Sequence, residues 1–212
     1  GARASRRDGC WLCYTVDMTQ AEKLLALHTK YAAENSCTLK ATATRAVFGS
    51  GNPEADIVFI GEAPGKKEDE TGIPFVGAAG KFLDEMLARA SLKREDIYIT
   101  NIVKYRPPEN RDPTPEEIAA CESWLHEEIS TIKPAVIVSL GRYSLNHFIP
   151  DVKISEVHGT AFRRNIPGLG ECVFFALYHP AAALYNGSMR ETLIEDFLKV
   201  PKLVKQIKKD SH

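Results

Sequence analysis

The chain has 212 residues, of which 44% are hydrophobic and 26% are charged, and this is enough apolar material for one globular domain with a buried core. The formal net charge is only -1, so the overall charge gives no reason to expect a polyanion partner. No apolar run reaches about 18 residues, so we expect no membrane-spanning helix. Five widely spaced cysteines argue against a disulfide framework, and we expect a cytoplasmic protein.

The first segment has no regular pattern and precedes Met18. We interpret residues 1–17 as a leader, an added segment or a mis-assigned start, and residues 18–212 as a single domain. Cys10 and Cys13 in this segment have the C-x-x-C spacing of metal ligands.

Helical and strand patterns then follow one another along the chain. An amphipathic pattern predicts a first helix over residues 19–35, with Thr19 as its cap. Short apolar runs predict buried strands at 56–60, 97–103, 135–140 and 172–178. Further helices are predicted at 78–90, 114–132, 141–149 and 188–208, the last bent at Pro201. The helix at 114–132 opens with a capping box of Thr114 and Glu117. Five lysines and no acid between 199 and 209 predict a basic face on the last helix.

This alternation predicts a parallel α/β sheet with helices on both faces. Polar residues follow the predicted strands: Glu62 after the first, Asn101 at the end of the second and His179 after the fourth. Ligands bind beyond the carboxyl ends of strands in open parallel sheets, so these three side chains are expected to share one cleft. Each also has an ordinary interpretation, as a turn former, a loop histidine or a residue at a helix end.

A glycine-punctuated segment over residues 65–80 contains one large ring, Phe75. Glycine lets the backbone approach a ligand closely and an aromatic face can stack on it, so the segment suits a flat heterocycle. The alternative is that Phe75 only fills the core. The sequence has no phosphate-binding loop, no zinc-ligand spacing within the predicted domain and no nucleophile elbow, so a nucleotide cofactor is not supported.

Three segments carry a specific resemblance: residues 47–87, "IYITNIVKYRPPENRDPTPEEIAAC" at 97–121 and "YHPAAAL" at 178–184. They closely resemble the family-4 uracil-DNA glycosylases, from about Cys37 to residue 205. The resemblance implies a three-layer α/β/α sandwich with a central four-stranded parallel sheet. It also implies a monomeric DNA-repair hydrolase that removes uracil from single- and double-stranded DNA and leaves an abasic site. The alternative is a non-catalytic protein on the same fold that binds uracil-containing DNA or other nucleic acid.

The resemblance also implies roles for the residues of the predicted cleft. Asn101 would hydrogen-bond the uracil edge and Phe75 would stack on the base. His179 would stabilise charge on the departing base, and Glu62 would position the attacking water. Backbone groups would line the pocket at Gly61 and Ala63.

Contacts to DNA are implied for two segments. The basic loop that contains Arg106 and Arg111 would contact phosphates. The loop after His179 would press into the duplex, with Leu184 as the wedge and Arg190 near a phosphate.

The chain departs from the family at its iron–sulfur cysteines. The family carries a [4Fe–4S] cluster on four cysteines, which is not required for the chemistry. Here Cys37 and Cys121 match two ligand positions, whereas Lys40 and Tyr105 occupy the other two. Three interpretations remain: the cluster is lost and packing by Tyr105 and Lys40 replaces it, Cys10 and Cys13 supply the missing thiolates, or the remaining thiols form a different metal site. We expect the cluster to be lost.

Overall fold

The structure is a computed structural model that describes residues 17–150 and 152–210. The predicted leader, with Cys10 and Cys13, therefore lies outside the described residues except for Asp17. None of the helices in the described ranges has the length and apolar character needed to cross a membrane.

The described chain forms helices and strands in alternation. The helices are α1 Gln20–Glu34, α2 Lys66–Thr71, α3 Ala78–Arg89, α4 Pro115–Ile132, α5 Arg142–Phe148, α6 Ile154–Val157, α7 Ala182–Tyr185, α8 Ser188–Phe197 and α9 Val200–Asp210. The strands are β1 Ser50–Gly51, β2 Ile57–Gly61, β3 Tyr98–Asn101, β4 Val136–Leu140, β5 Ala161–Ile166 and β6 Gly170–Leu177.

The strands form one sheet in the order β1-β3-β2-β4-β6-β5. The four predicted strands are its parallel centre, β3-β2-β4-β6, which confirms the predicted fold class. The number of strands differs, because β1 and β5 add antiparallel edges to a six-stranded sheet. β1 has only two residues, and most of β5 is exposed, so neither edge has the apolar run by which a buried strand is recognised.

The sheet separates two hydrophobic cores, which makes three layers. One core lies between the sheet and helices α1, α4 and α5. The other lies between the opposite face and helices α3, α8 and α9. Because both faces are covered, the central strands β2, β3 and β4 are buried along their whole length.

Local capping signals fix the starts of two long helices. Thr19 caps α1 and Thr114 caps α4, each by accepting a hydrogen bond from the backbone three residues later. In return, the Glu117 carboxylate accepts the backbone N–H of Thr114, which completes the predicted box on α4. Both helices begin where the sequence predicts, because the capping hydrogen bonds join residues within a single helical turn.

Two predicted elements differ from the structure. The glycine-punctuated segment contains a short helix, α2, instead of being loop throughout. The last predicted helix is two helices, α8 and α9, that separate at residues 198–199 and not at Pro201. Pro201 is the second residue of α9, where a missing backbone N–H leaves no helical hydrogen bond unmade.

Candidate active site

A cleft of about 370 Å³ opens at the carboxyl edge of the parallel strands. Asn101 ends β3 directly beside Gly61 at the end of β2, and His179 follows β6 by two residues. The cleft is lined by five of the residues singled out from the sequence: Glu62, Ala63, Phe75, Asn101 and His179. The strand ends therefore bring together side chains that are more than 100 residues apart in the sequence.

The Asn101 side chain is buried and incompletely bonded. Its exposure is 2%, and its Oδ1 atom has no hydrogen-bond partner in the described part of the chain. An unpaired buried acceptor costs about 1–3 kcal/mol, so such an atom inside a cleft indicates a ligand that donates to it. Gly61 allows this arrangement, because a Cβ there would lie 2.4 Å from Asn101 Oδ1 and 2.6 Å from Cζ of Phe75.

A buried ion pair fixes the backbone of Asn101 through a hydrogen bond to its carbonyl oxygen. The Lys104 ammonium donates to the Asn101 carbonyl at 2.8 Å and to a Glu128 carboxylate oxygen at 2.7 Å. Glu128 also accepts bonds from the hydroxyls of Tyr98 and Thr100. Burial favours the protonated form of Glu128, but Lys104 and His28 together outweigh it and lower the pKa of Glu128 to about 2. Asn101 is therefore fixed by a satisfied charged network.

Phe75 forms one wall of the cleft from a strained backbone position. Its φ is +54°, which non-glycine residues rarely adopt. Arg94 donates hydrogen bonds to the carbonyls of Pro74 and Phe75, and Gly80 packs so closely that a Cβ would overlap the Phe75 carbonyl. The ring centroid lies 5.9 Å from that of His179. Surrounding contacts therefore hold the ring where a flat base could stack on it.

His179 is held as a neutral hydrogen-bond donor. The backbone N–H of Ala181 donates to its Nδ1 atom at 3.1 Å, which requires Nδ1 to carry no proton and places the proton on Nε2. Burial lowers the pKa of His179 to about 4, against an opposing effect of the Glu68 carboxylate. A neutral imidazole with its N–H in the cleft can donate to an oxygen on which negative charge develops.

Glu62 has an acid–base character suited to neutral pH. Burial raises the pKa of Glu62 to about 7, with a further increase from the Asp112 carboxylate and a decrease from Arg142. A carboxylate with this pKa is a competent proton acceptor near physiological pH.

Two acidic residues of the cleft were missed by the sequence reasoning. Glu68 is buried, and its Oε1 atom accepts the backbone N–H groups of Val76 and Gly77 at 2.9 and 2.7 Å, which fixes the chain just after Phe75. Asp112 lines the cleft and accepts a hydrogen bond from Tyr143. Glu68 lies in the charged run "KKEDET", where nothing in the sequence separates a buried acid from solvated ones.

The four residues predicted to contact DNA lie in different settings. Arg111 lines the cleft and pairs with Glu117, whereas Arg106 donates to Asn110. Leu184 is 47% exposed on α7, and the neighbouring Tyr185 is 90% exposed. Arg190 donates to Glu85 and lies over the Phe82 ring. The DNA contacts expected of Arg106, Arg111, Leu184 and Arg190 therefore stay predictions.

The two cysteines at family cluster positions lie in a separate, tightly packed region. Cys37 and Cys121 are buried, and the Cys37 thiol donates to the Glu117 carbonyl at 3.7 Å. The neighbouring Cys121 thiol, together with burial, raises the pKa of Cys37. The Tyr31 hydroxyl lies 3.2 Å from Cys121 Sγ, and the Tyr31 ring stacks on Tyr105 with centroids 5.6 Å apart. We call Tyr31, Cys37, Tyr105 and Cys121 the cysteine core.

The residues described here do not fit a four-thiolate cluster. Within residues 17–150 and 152–210, the cysteine core contains two free thiols, and the Tyr31 and Tyr105 rings pack in the same buried cluster. Lys40, which was expected to help fill it, is instead exposed and bonded to the Ala32 carbonyl. Leu39 beside it is the buried residue. Whether Cys10 and Cys13 contribute lies outside the described residues.

Comparison with known proteins agrees with this geometry. Residues 48–202 match the model of the uracil DNA glycosylase superfamily. The chain is 49% identical over 173 residues to the type-4 uracil-DNA glycosylase of Archaeoglobus fulgidus, covering 79% of this chain and 86% of that protein. It is 44% identical to the type-4 uracil-DNA glycosylase of Thermotoga maritima, covering 81% and 89%. A type-5 uracil-DNA glycosylase of Thermus thermophilus is 39% identical but covers 48% of this chain and 52% of its own length. The chain therefore belongs to the type-4 branch of the uracil-DNA glycosylase superfamily.

Proposed function

We propose that this protein is a DNA-repair enzyme that hydrolyses the N-glycosidic bond of uracil in single- and double-stranded DNA and leaves an abasic site. The observation that carries the proposal is the buried Oδ1 atom of Asn101, which has no hydrogen-bond partner among the described residues and lies in a cleft beside the Phe75 ring and the His179 N–H. A flat base with a donor on its edge and a carbonyl oxygen on either side complements all three groups.

The base would be read by Asn101 after it leaves the DNA stack, which costs a few kcal/mol. Uracil N3–H would donate to Asn101 Oδ1, and the Asn101 amide N–H would donate to uracil O4. Cytosine has an acceptor at N3, so its binding would leave two acceptors facing each other. A buried mismatch of this kind costs about 1–3 kcal/mol for each unpaired group, which supports selectivity for uracil.

Bond cleavage would place an electron pair on the departing uracil, with negative charge on O2, and positive charge on the sugar. His179 Nε2–H would donate to O2 without transferring its proton, because the neutral ring is already the stable form. Water would add its oxygen to the sugar carbon, and the Glu62 carboxylate would accept the water proton. The backbone of Gly61 and Ala63 would line the pocket around the base.

The surface next to the cleft would hold the DNA. Leu184, which is half exposed, would enter the space left by the base. Arg106 and Arg111 would contact phosphates on one side and Arg190 on the other, with Arg111 closest to the cleft because it lines it.

The proposal includes no cofactor for the chemistry and no [4Fe–4S] cluster. The close packing of Tyr105 on Tyr31 in the cysteine core supports a structure without iron. An iron assay and the visible absorbance of the purified full chain test this point, and a cluster signal would contradict it. We also propose that the protein acts as a monomer in the cytoplasm, which sedimentation analysis and localisation of the tagged protein would test.

The function is tested with a single-stranded oligonucleotide that contains one uracil. The oligonucleotide is incubated with protein and then with alkali, which cleaves the strand at an abasic site. We expect cleavage at uracil and none in a matched oligonucleotide with thymine. Tight binding to the uracil strand without any cleavage would favour the alternative, a non-catalytic binding protein.

A further inference from the structure

A second cavity, of about 330 Å³, lies away from the base cleft. It is bordered by α4, by the end of α5 and by the turn after β5, and no described residue lines both cavities. Its polar lining includes Glu122, His126 and His147, and its apolar lining is Phe148, Ile166 and Pro167. None of these six residues has a part in the proposed reaction.

The fold brings three metal-ligating side chains to one point in this cavity. Glu122 and His126 are one helical turn apart on α4, so they lie on the same face. His147 approaches from α5. One carboxylate oxygen of Glu122 and one ring nitrogen of each histidine all lie within 4.8 Å of one another.

The His147 ring adds an observation independent of this clustering. Its Nε2 atom is buried and has no hydrogen-bond partner within residues 17–150 and 152–210. Leaving a buried polar atom unpaired is costly, and few such atoms occur in folded proteins. In the tautomer with its proton on Nδ1, Nε2 presents a lone pair that a metal ion can accept.

The Phe148 ring holds both histidines close to these positions. It packs edge-on against His147 with centroids 4.7 Å apart and stacks on His126 at 6.4 Å. Glu122 is exposed, so its side chain can rotate toward the histidines without disturbing the core. Two positioned imidazoles and one adjustable carboxylate form a partly organised ligand set.

We propose that Glu122, His126 and His147 bind a divalent transition-metal ion, Zn²⁺ foremost, with water as the fourth ligand. Two imidazoles and a carboxylate are ligands that suit zinc, whereas Mg²⁺ and Ca²⁺ prefer oxygen ligands alone. The ligand atoms of a tetrahedral zinc site lie about 3.3 Å apart. No distance between two of these three ligand atoms would therefore have to shorten by more than about 1.5 Å. The bound ion links α4 to α5 and stabilises the folded chain by mass action.

The test is a titration of the full chain with zinc chloride, in competition with a chromophoric zinc chelator. Because Cys10 and Cys13 have zinc-binding spacing, the titration uses a chain with both changed to serine. We expect one Zn²⁺ per chain. Glu122→Gln and His126→Ala should each weaken zinc affinity at least about 10–100-fold, since even residues that only support metal ligands contribute that much.

Glu127→Gln is the matched control, because Glu127 is an exposed acid on the same helix next to His126. It should bind zinc like the parent chain. Titration with Co²⁺ provides a second measurement, because a tetrahedral protein-bound ion absorbs visible light far more strongly than the hydrated ion, and this strong absorption should disappear in His147→Ala. Zinc affinity that is the same in Glu122→Gln, His126→Ala and the parent chain would overturn the proposal. The proposal would also be overturned if the parent chain, shown to be folded by its cooperative thermal unfolding, bound no stoichiometric zinc.

Discussion

The base cleft and the cysteine core are both built around buried polar atoms, but they treat those atoms in opposite ways. In the cleft, Asn101 Oδ1 has no partner among the described residues and Phe75 keeps a strained backbone. In the cysteine core, the Cys37 thiol donates a hydrogen bond to the Glu117 carbonyl, and the Tyr31 hydroxyl is hydrogen-bonded to Cys121. One region retains unsatisfied groups that a ligand can complete, whereas the other is complete without one.

This difference separates stability from activity. A side chain of the cysteine core contributes packing, so its loss should lower the free energy of unfolding and leave the chemistry intact. A side chain of the cleft contributes groups reserved for the substrate, so its loss should lower activity and leave stability unchanged or higher. Four predictions test this separation, in order of decreasing expected effect.

Tyr31→Ala should produce the largest loss of stability. The ring is almost fully buried and contacts Tyr105, Phe48 and Trp124, so its removal leaves a cavity that costs about 3–5 kcal/mol. Chemical denaturation measures the free energy of unfolding. Uracil excision per folded molecule, measured well below the unfolding transition, should equal that of the parent chain. A large loss of activity in the folded variant would show that the two regions are coupled.

Asn101→Ala should produce the largest loss of activity. Removing a hydrogen-bonding group that stabilises a transition state typically lowers the rate about 10²–10³-fold, or about 2.7–4 kcal/mol. Single-turnover excision of uracil measures the effect. The thermal midpoint should not fall, because the lost Oδ1 atom has no hydrogen-bond partner in the part of the chain that the structure describes. Asn165→Ala on exposed β5 is the control, and a rate for Asn101→Ala close to that control would refute the assigned role.

Gly61→Ala should affect both properties. The new Cβ would collide with the Asn101 amide and the Phe75 ring, so either they move or the strand shifts. Overpacking of this kind costs about 1–3 kcal/mol of stability. Excision should also fall, because the two displaced side chains are those that we propose to contact the base. Denaturation and excision measured on the same sample test this. If neither the stability nor the excision rate changed, the site would have room for a Cβ at position 61.

The pH dependence of excision should show one ionisation near neutrality. Because burial raises the pKa of Glu62 to about 7, the carboxylate form is lost as the pH falls below that value. The rate should drop about tenfold per pH unit, equivalent to about 1.4 kcal/mol. His179, whose pKa burial lowers to about 4, stays neutral near pH 7 and does not contribute.

The variant Glu62→Gln is the control for this assignment. Its excision should be slower and nearly independent of pH between 5 and about 7.5. A pH step that persists in this variant would assign the ionisation to another group.

The sequence predicted those features that depend on short-range signals or on regular patterns. The Thr19 cap of α1, the capping box of α4, the four parallel strands and the convergence of Glu62, Asn101 and His179 follow from residue spacing and from sheet geometry. It did not predict the edge strand β5, because most of its residues are exposed and it has no apolar run. Nor did it predict the roles of Glu68 and Lys104, because their bonds join segments whose pairing depends on the tertiary fold.

The Arg94 contacts to Pro74 and Phe75 have a consequence for product release. Because these contacts come from the chain itself, they fix the Phe75 wall independently of any base, and little ordering should accompany binding. Free uracil presents the same edge and the same ring face as uracil in DNA. The liberated base should therefore occupy the emptied cleft and compete with the next damaged site, so that turnover slows as uracil accumulates.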